Sequence, residues 1–142
     1  MENRETIKKS RLKENYIYPW YGVDLDGTLA TYTTFISHDH IGEPIPAMVK
    51  RIQHWLMRGK IVKIFTARMS DADPKKRLEI LDAIHAWTLK HIGRSLEATC
   101  IKDYGMVQLW DDRAVQVEFN TGRIFDTIRE DVEGVENRYE DI

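Results

Sequence analysis

A single cysteine, Cys100, stands in 142 residues, so no intrachain disulfide can form and the chain suits a reducing compartment such as the cytoplasm. Cys100 itself is expected to be a small buried hydrophobe beside a strand. No apolar run approaches the ~20 residues that a bilayer span needs. The N-terminal stretch MENRETIKKSRLKEN is charged where a signal peptide needs an apolar segment. Neither export nor membrane insertion is expected. Neither sign of charge dominates: Lys and Arg number 21 against 23 Asp and Glu, a net charge of −2 that singles out no class of partner. Internal repeats and low-complexity segments are also missing. What is present is ordinary for a folded domain, with 42% hydrophobic and 31% charged residues. The length fits one domain able to bury a core without staples.

Charge is unevenly placed along that length. Residues 1–14 form a charged arm with Arg4, Lys8, Lys9, Arg11 and Lys13, diluted by Glu2, Glu5 and Glu14. Residues 128–142 form an acidic tail. Both read as solvated ends, with pairing of the two tails, within or between chains, as the alternative. A nucleic-acid arm would need a denser cationic stripe.

Residues 15–127, between these tails, read as alternating strands and helices. Residues 17–23 are aromatic and β-branched and run into Gly27, which predicts a buried strand ending in a turn. Pro46 then opens a helix in which Val49, Ile52, Trp55 and Leu56 recur at helical spacing until Gly59. Residues 60–65 predict a second strand, and Pro74 opens a longer helix with Leu78, Leu81, Ile84 and Ile92 among its apolar positions. Residues 98–101 and 106–110 are short strand candidates. Residues 115–119 and 123–127 flank Asn120, Thr121 and Gly122 as a hairpin. Repeated βα units predict an α/β, three-layer, Rossmann-like domain: a central, mostly parallel sheet, helices on both faces and a C-terminal β-hairpin. In such sheets ligands bind beyond the carboxyl ends of the strands, so functional residues belong just after strands.

The residues found there are Asp24-Leu25-Asp26-Gly27-Thr28, Thr66-Ala67-Arg68 and Asp111-Asp112. Two carboxylates separated by one residue leave a regular strand on one face, and Gly27 permits a sharp turn that lets both reach one bound group. Here the sequence resembles the haloacid dehalogenase superfamily of phosphohydrolases. Val23-Asp24-Leu25-Asp26-Gly27-Thr28 matches its first motif and Ile64-Phe65-Thr66 its second. Lys102 matches the third and Leu109-Trp110-Asp111-Asp112 the fourth. The resemblance covers residues 17–119. IGEPIP, IFTAR and LWDDRAVQV together resemble the short members of that superfamily found in phage genomes, which implies no particular substrate.

The resemblance implies that Asp24 attacks phosphorus to form an aspartyl-phosphate, and that Asp26 protonates the leaving oxygen and later activates water. It implies Mg²⁺ held by Asp24, Asp26 through its carbonyl, and Asp111. Thr66, with Ala67 beside it, and Lys102 would bind phosphate. Asp112 would bind the metal through water or orient Lys102. Hard oxygen donors suit Mg²⁺, and cationic groups suit a phosphoryl group whose equatorial oxygens carry charge. Taken singly, these residues have plainer readings: a solvated turn for Asp24 and Asp26, an N-cap for Thr66, a surface lysine for Lys102 and a loop acid pair for Asp111-Asp112. Arg68 either contacts substrate or forms a salt bridge to Asp71 or Asp73.

His38 and His40 flank Asp39, but a zinc reading is rejected because no second Cys or His cluster completes a tetrahedral set. Residues 31–43 fall where this superfamily inserts a flap or cap and are too few for a cap domain. Residues 69–99 are mainly one helix and offer none either. The site is therefore expected to be open, which suits a large substrate end such as a nucleic-acid or protein phosphate, with a nucleotide or polynucleotide end the first expectation, or coverage by a second subunit in a homo-oligomer. The expected activity is phosphomonoester hydrolysis. The alternatives are a phosphate- or metal-binding regulatory module of the same fold that turns over poorly, and a phosphotransferase.

Overall fold

The computed structural model describes residues 18–125. The expected charged arm, the acidic tail, Ile17, Asp126 and Thr127 lie outside the described residues. The chain divides into two compact units, Met1–Trp110 and Asp111–Ile142.

In the first unit Pro19, which has no N–H to give a ladder, precedes strand β1, Trp20–Val23. Helix α1, Pro46–Met57, follows, with Pro46 in its first turn. Gly59 lies just beyond at φ +77°, a conformation that costs glycine nothing. Strand β2 is Ile61–Phe65, and a 3₁₀ turn, Ala67–Ser70, comes next. Helix α2, Pro74–Ile92, starts at Asp73, whose side chain accepts the Lys75 N–H, and stops at Gly93 in the left-handed region. Strands β3, Ala98–Thr99, and β4, Met106–Trp110, complete the set.

The sheet order is β3-β2-β1-β4, and every pairing is parallel. The parallel α/β architecture agrees with the expectation from sequence. Alternation along the strands sorts the two faces. Val23, Val62 and Ile64 join one buried cluster with Met48 and Ile52 of α1 and Ile80, Ile84, Trp87 and Ile92 of α2. Right-handed crossovers that step the same way along a sheet place their helices on the same face, and the shared cluster agrees. On α2 the apolar stripe runs through Ile80, Ile84 and Trp87, leaving Leu78 63% exposed. The Thr88 hydroxyl, fully buried, donates to the Ile84 carbonyl and accepts the Leu96 N–H, tying the helix end to the approach to β3.

The opposite face carries Trp20, Gly22 and Phe65. A Cβ on Gly22 would lie 2.8 Å from Met106 Cε, 3.1 Å from the Trp20 ring and 3.4 Å from Phe65 Cβ. No helix covers this face among the described residues, so the three layers expected are two here. Residues 100–105 make the return from β3 to β4 instead. The Trp20 indole N–H donates to Asp103 Oδ1 at 2.8 Å, and the Trp20 backbone N–H donates to the Gly105 carbonyl at 2.8 Å. Cys100 is exposed, against the expectation that it is buried. Strand β3 ends at Thr99, and the Thr99 hydroxyl accepts the Ile101 N–H, turning the chain outward before Cys100 can repeat the inward position of Ala98.

In the second unit, antiparallel pairing among the described residues is one bridge, Val117 to Ile124, with the Glu118 N–H donating to the Arg123 carbonyl at 2.6 Å. Asn120 and Gly122 take the positive φ of the turn between them. Among the described residues, no helix is long and apolar enough to cross a membrane.

Candidate active site

Register sets what meets at the carboxyl edge of the sheet. Val23 pairs with Ile64 of β2 and with Trp110 of β4, so β1 and β4 end level, and β2 runs one residue further to Phe65 before Thr66 emerges. The Asp24 N–H continues the ladder by donating to the Trp110 carbonyl at 2.9 Å. Leu25 is fully buried, whereas Asp24 and Asp26 on either side are half-buried. Strand alternation thus continues one step past β1, plugging the core with Leu25 and leaving both acids on the solvent side. The turn closes as the Leu25 carbonyl accepts the Leu29 and Ala30 N–H groups at 3.0 and 2.9 Å. Gly27 stands at φ +88°. The Thr28 hydroxyl donates to Asp24 Oδ2 at 3.3 Å.

Thr66 follows β2 and is 4% exposed. Its hydroxyl oxygen accepts the Arg68 N–H at 3.2 Å, and its own N–H donates to the Thr99 carbonyl at 2.9 Å. The plain reading of Thr66 as a cap is therefore correct as geometry, and its hydroxyl hydrogen remains a donor. Ala67 is exposed at the first position of the 3₁₀ turn, where an N–H has no acceptor within the turn.

Arg68 departs from the expectation from sequence. Its partner is neither Asp71 nor Asp73 but Asp26, gripped on both oxygens: Nε donates to Oδ2 at 2.8 Å and Nη2 to Oδ1 at 2.7 Å. Nη1 donates to the His38 and His40 carbonyls at 3.1 and 2.7 Å. The side chains of Arg68 and Asp26 are 17% and 25% exposed, so this forked pair is better shielded than an ordinary surface ion pair.

The two carbonyls belong to a folded loop, residues 31–43. Its neck is pinched shut where the Thr31 N–H donates to the Glu43 carbonyl at 2.8 Å and the Glu43 N–H to the Thr31 hydroxyl at 3.1 Å. A Cβ on Gly42 would lie 2.0 Å from the Thr31 carbonyl oxygen, so only glycine fits there. The loop is fixed to α2 twice: the Trp87 indole donates to the Gly42 carbonyl at 3.0 Å, and His38 Nε2 lies 2.6 Å from Glu79 Oε2. His38 thus has a carboxylate partner of its own. At the loop tip the Ser37 hydroxyl on Asp39 Oδ1 holds that carboxyl below the usual carboxylate range. The loop and Arg68 line an open cavity of about 240 Å³, with Tyr32, Phe35 and Ile36 along its wall.

No protein-family model, curated protein or solved structure matches the chain.

The structure brings Asp24, Asp26, Thr66, Ala67 and Arg68 to one sheet edge. Lys102 is exposed on the link between β3 and β4, three residues past Thr99 and one before Asp103. It makes no hydrogen bond or ion pair among the described residues. Asp111 and Asp112 open the second unit. Both are half-buried, and Asp111 Oδ1 accepts the Arg113 N–H at 2.7 Å. Asp111 is peptide-bonded to Trp110, the residue whose carbonyl receives the Asp24 N–H. Sequence reasoning missed the Arg68–Asp26 fork and the His38 and His40 carbonyls. The one available signal was an arginine two residues past a strand-ending threonine, which names no partner 42 positions away.

Proposed function

We propose that this chain is a magnesium-dependent phosphomonoester hydrolase of the haloacid dehalogenase type, without a sizeable cap, working through an aspartyl-phosphate on Asp24. One observation carries the reading. In the sheet order β3-β2-β1-β4, β4 ends level with β1 and β2 runs one residue further, and the residues directly after β1, β2 and β4 are Asp24, Thr66 and Asp111. A nucleophile, a hydroxyl donor and a further acid thus follow three adjacent parallel strands at their carboxyl ends, where α/β sheets bind ligands.

In the first half-reaction an Asp24 oxygen forms a bond to phosphorus while the bond from phosphorus to the leaving oxygen breaks, and Asp26 gives that oxygen its proton. In the second half Asp26 takes a proton from water, the water oxygen attacks phosphorus, and the bond to Asp24 breaks to release inorganic phosphate. The Thr66 hydroxyl and Ala67 N–H donate to the phosphoryl oxygens, and the Lys102 ammonium adds positive charge. The resemblance implies Mg²⁺ on Asp24, the Asp26 carbonyl and Asp111; hard oxygens of this kind would suit it, and its charge would offset the repulsion between a carboxylate and a phosphate. Among the described residues no large insertion follows β1 or β2, which suits a nucleotide or polynucleotide end as substrate.

The full engagement of both Asp26 oxygens by Arg68 favours a second reading, a phosphate-binding module of the same fold that turns over poorly. A screen with Mg²⁺ across nucleotides, sugar phosphates and phosphorylated oligonucleotides separates the two. Release of inorganic phosphate that Asp24→Asn eliminates is the expected result. Binding of phosphate esters without release would leave the second reading standing.

A further inference from the structure

Arg68 has no part in the reaction as written, yet it holds two things together. Of the five N–H donors of a guanidinium, four are committed: two to the carboxylate of Asp26 and two to the carbonyls of His38 and His40. Neither target is optional in its own element. Asp26 follows a fully buried Leu25, so its backbone cannot slide, while its side chain is free to rotate unless something holds it. The loop 31–43 is fixed at its neck by Thr31 and Glu43 and on α2 through Gly42 and His38. That leaves His40 as the stretch of loop held from the sheet side by Arg68. Arg68 also lines, beside the loop, the open 240 Å³ cavity.

We propose that Arg68 is a positioning residue: its guanidinium locks the Asp26 carboxyl group to the loop 31–43, so that the group which protonates the leaving oxygen is already aligned when substrate arrives. This rests on the phosphohydrolase reading for its chemical consequence but not for its geometry. When Asp26 carries the proton destined for the leaving oxygen, one oxygen must quit the fork. The second bond to Arg68 then keeps the group aimed while the proton passes to the leaving oxygen and the phosphorus–oxygen bond breaks. Arg68 acts through Asp26 and touches neither phosphorus nor the leaving atom. A lysine could supply the charge but not the fork.

The test uses the full chain with Mg²⁺ and two substrates, an aryl phosphate whose leaving group departs unprotonated and an alkyl phosphate whose leaving group does not. Asp26→Asn is expected to slow alkyl hydrolysis by roughly 10² to 10⁴, the usual worth of acid–base help, and aryl hydrolysis far less. Arg68→Ala is expected to follow the same pattern at roughly 10 to 10²-fold, since misalignment costs part of what removal costs. Arg68→Lys should fall between Arg68→Ala and wild type. The double variant should be no slower than Asp26→Asn alone, because the two side chains act as one unit. Equal losses on both substrates, additive losses in the double variant, or no loss would each overturn the proposal.

Hydrogen exchange gives a second readout that does not need turnover. Amides of residues 38–41 should exchange faster in Arg68→Ala, and faster also in Asp26→Asn, where the fork loses a charged arm. Unchanged exchange in both variants would overturn the lock itself. If wild type hydrolyses neither substrate, the phosphohydrolase reading fails on that result alone, and the exchange arm still decides whether Arg68 joins loop and carboxylate.

Discussion

Strand β1 has an aspartate held at each end, and the two are held differently. At the carboxyl end Asp26 is gripped by a guanidinium that also reaches into a loop lining a cavity. At the amino end Asp103 accepts the neutral N–H groups of the Trp20 indole and the Gly105 backbone, both at 2.8 Å. The first arrangement joins segments that could move relative to one another, and its two members stand two residues past Asp24 and Thr66. The second closes a return connection against a tryptophan that is 2% exposed. On the proposed reading, one aspartate serves chemistry and the other architecture. Changes at the carboxyl end should move turnover with little effect on melting temperature, and changes at the amino end should do the reverse.

The largest effect tests the carboxyl end. Asp24→Asn should eliminate turnover, because an amide does not attack phosphorus, while the melting temperature stays close to wild type. Steady-state phosphate release together with calorimetry reads both quantities, and undiminished turnover would remove Asp24 as the nucleophile. Asp26→Ala comes next. It should slow turnover by roughly 10² to 10⁴, with Mg²⁺ affinity little changed since the backbone carbonyl remains. Isothermal titration of Mg²⁺ beside the rate measurement checks this, and an unchanged rate would take Asp26 out of the mechanism.

Between the two ends lies the loop. Gly42→Ala drives a Cβ to within 2.0 Å of the Thr31 carbonyl oxygen, a backbone atom that cannot swing aside, and should cost about 1–3 kcal/mol as overpacking does. Denaturant unfolding reads the loss. Because the neck of residues 31–43 would open, the cavity wall should loosen as well, so this variant is expected to lower both stability and turnover. A variant as stable and as active as wild type would show that the neck is not held as tightly as its geometry requires.

The contrast between the two aspartates was only half legible in the sequence. Strand β1, both helices and β4 follow from short-range signals: Pro46 and Pro74 open helices, Gly59 and Gly93 lie just past their ends, and aromatic and β-branched runs form strands between them. The strand-end position of Asp24, Asp26 and Thr66 follows from the same signals. What stayed hidden depends on contacts distant in sequence. Arg68 finds Asp26 across 42 positions, and Trp20 finds Asp103 across 83. No periodicity encodes either distance. The exposure of Cys100 was hidden for a related reason: β3 is only two residues long, so alternation stops before it reaches the cysteine. The absence of a second helical layer among the described residues turns on the brevity of the link over residues 100–105, which spacing alone did not flag.

The smallest expected effect sharpens the amino end. The Trp20 indole first, and the Gly105 N–H after it, hold the Asp103 carboxyl below the usual carboxylate range. A carboxyl whose folded value is lowered contributes stability that is fully present above its unfolded value, about 3.9 for aspartate. That contribution is lost as pH falls through the lowered folded value. Asp103→Asn keeps an acceptor for the indole but not the charge, so it should melt slightly below wild type at neutral pH. The gap should narrow as the pH drops below about 4, where the wild-type carboxyl takes up its proton and becomes as neutral as the amide. Turnover at neutral pH should not change, since Asp103 accepts from Trp20 at the end of β1 away from Asp24. Melting curves of both proteins across the acid range decide the matter. A gap that is constant with pH would mean that shape rather than charge makes Asp103 useful, and a loss of turnover would erase the distinction between the two ends of the strand.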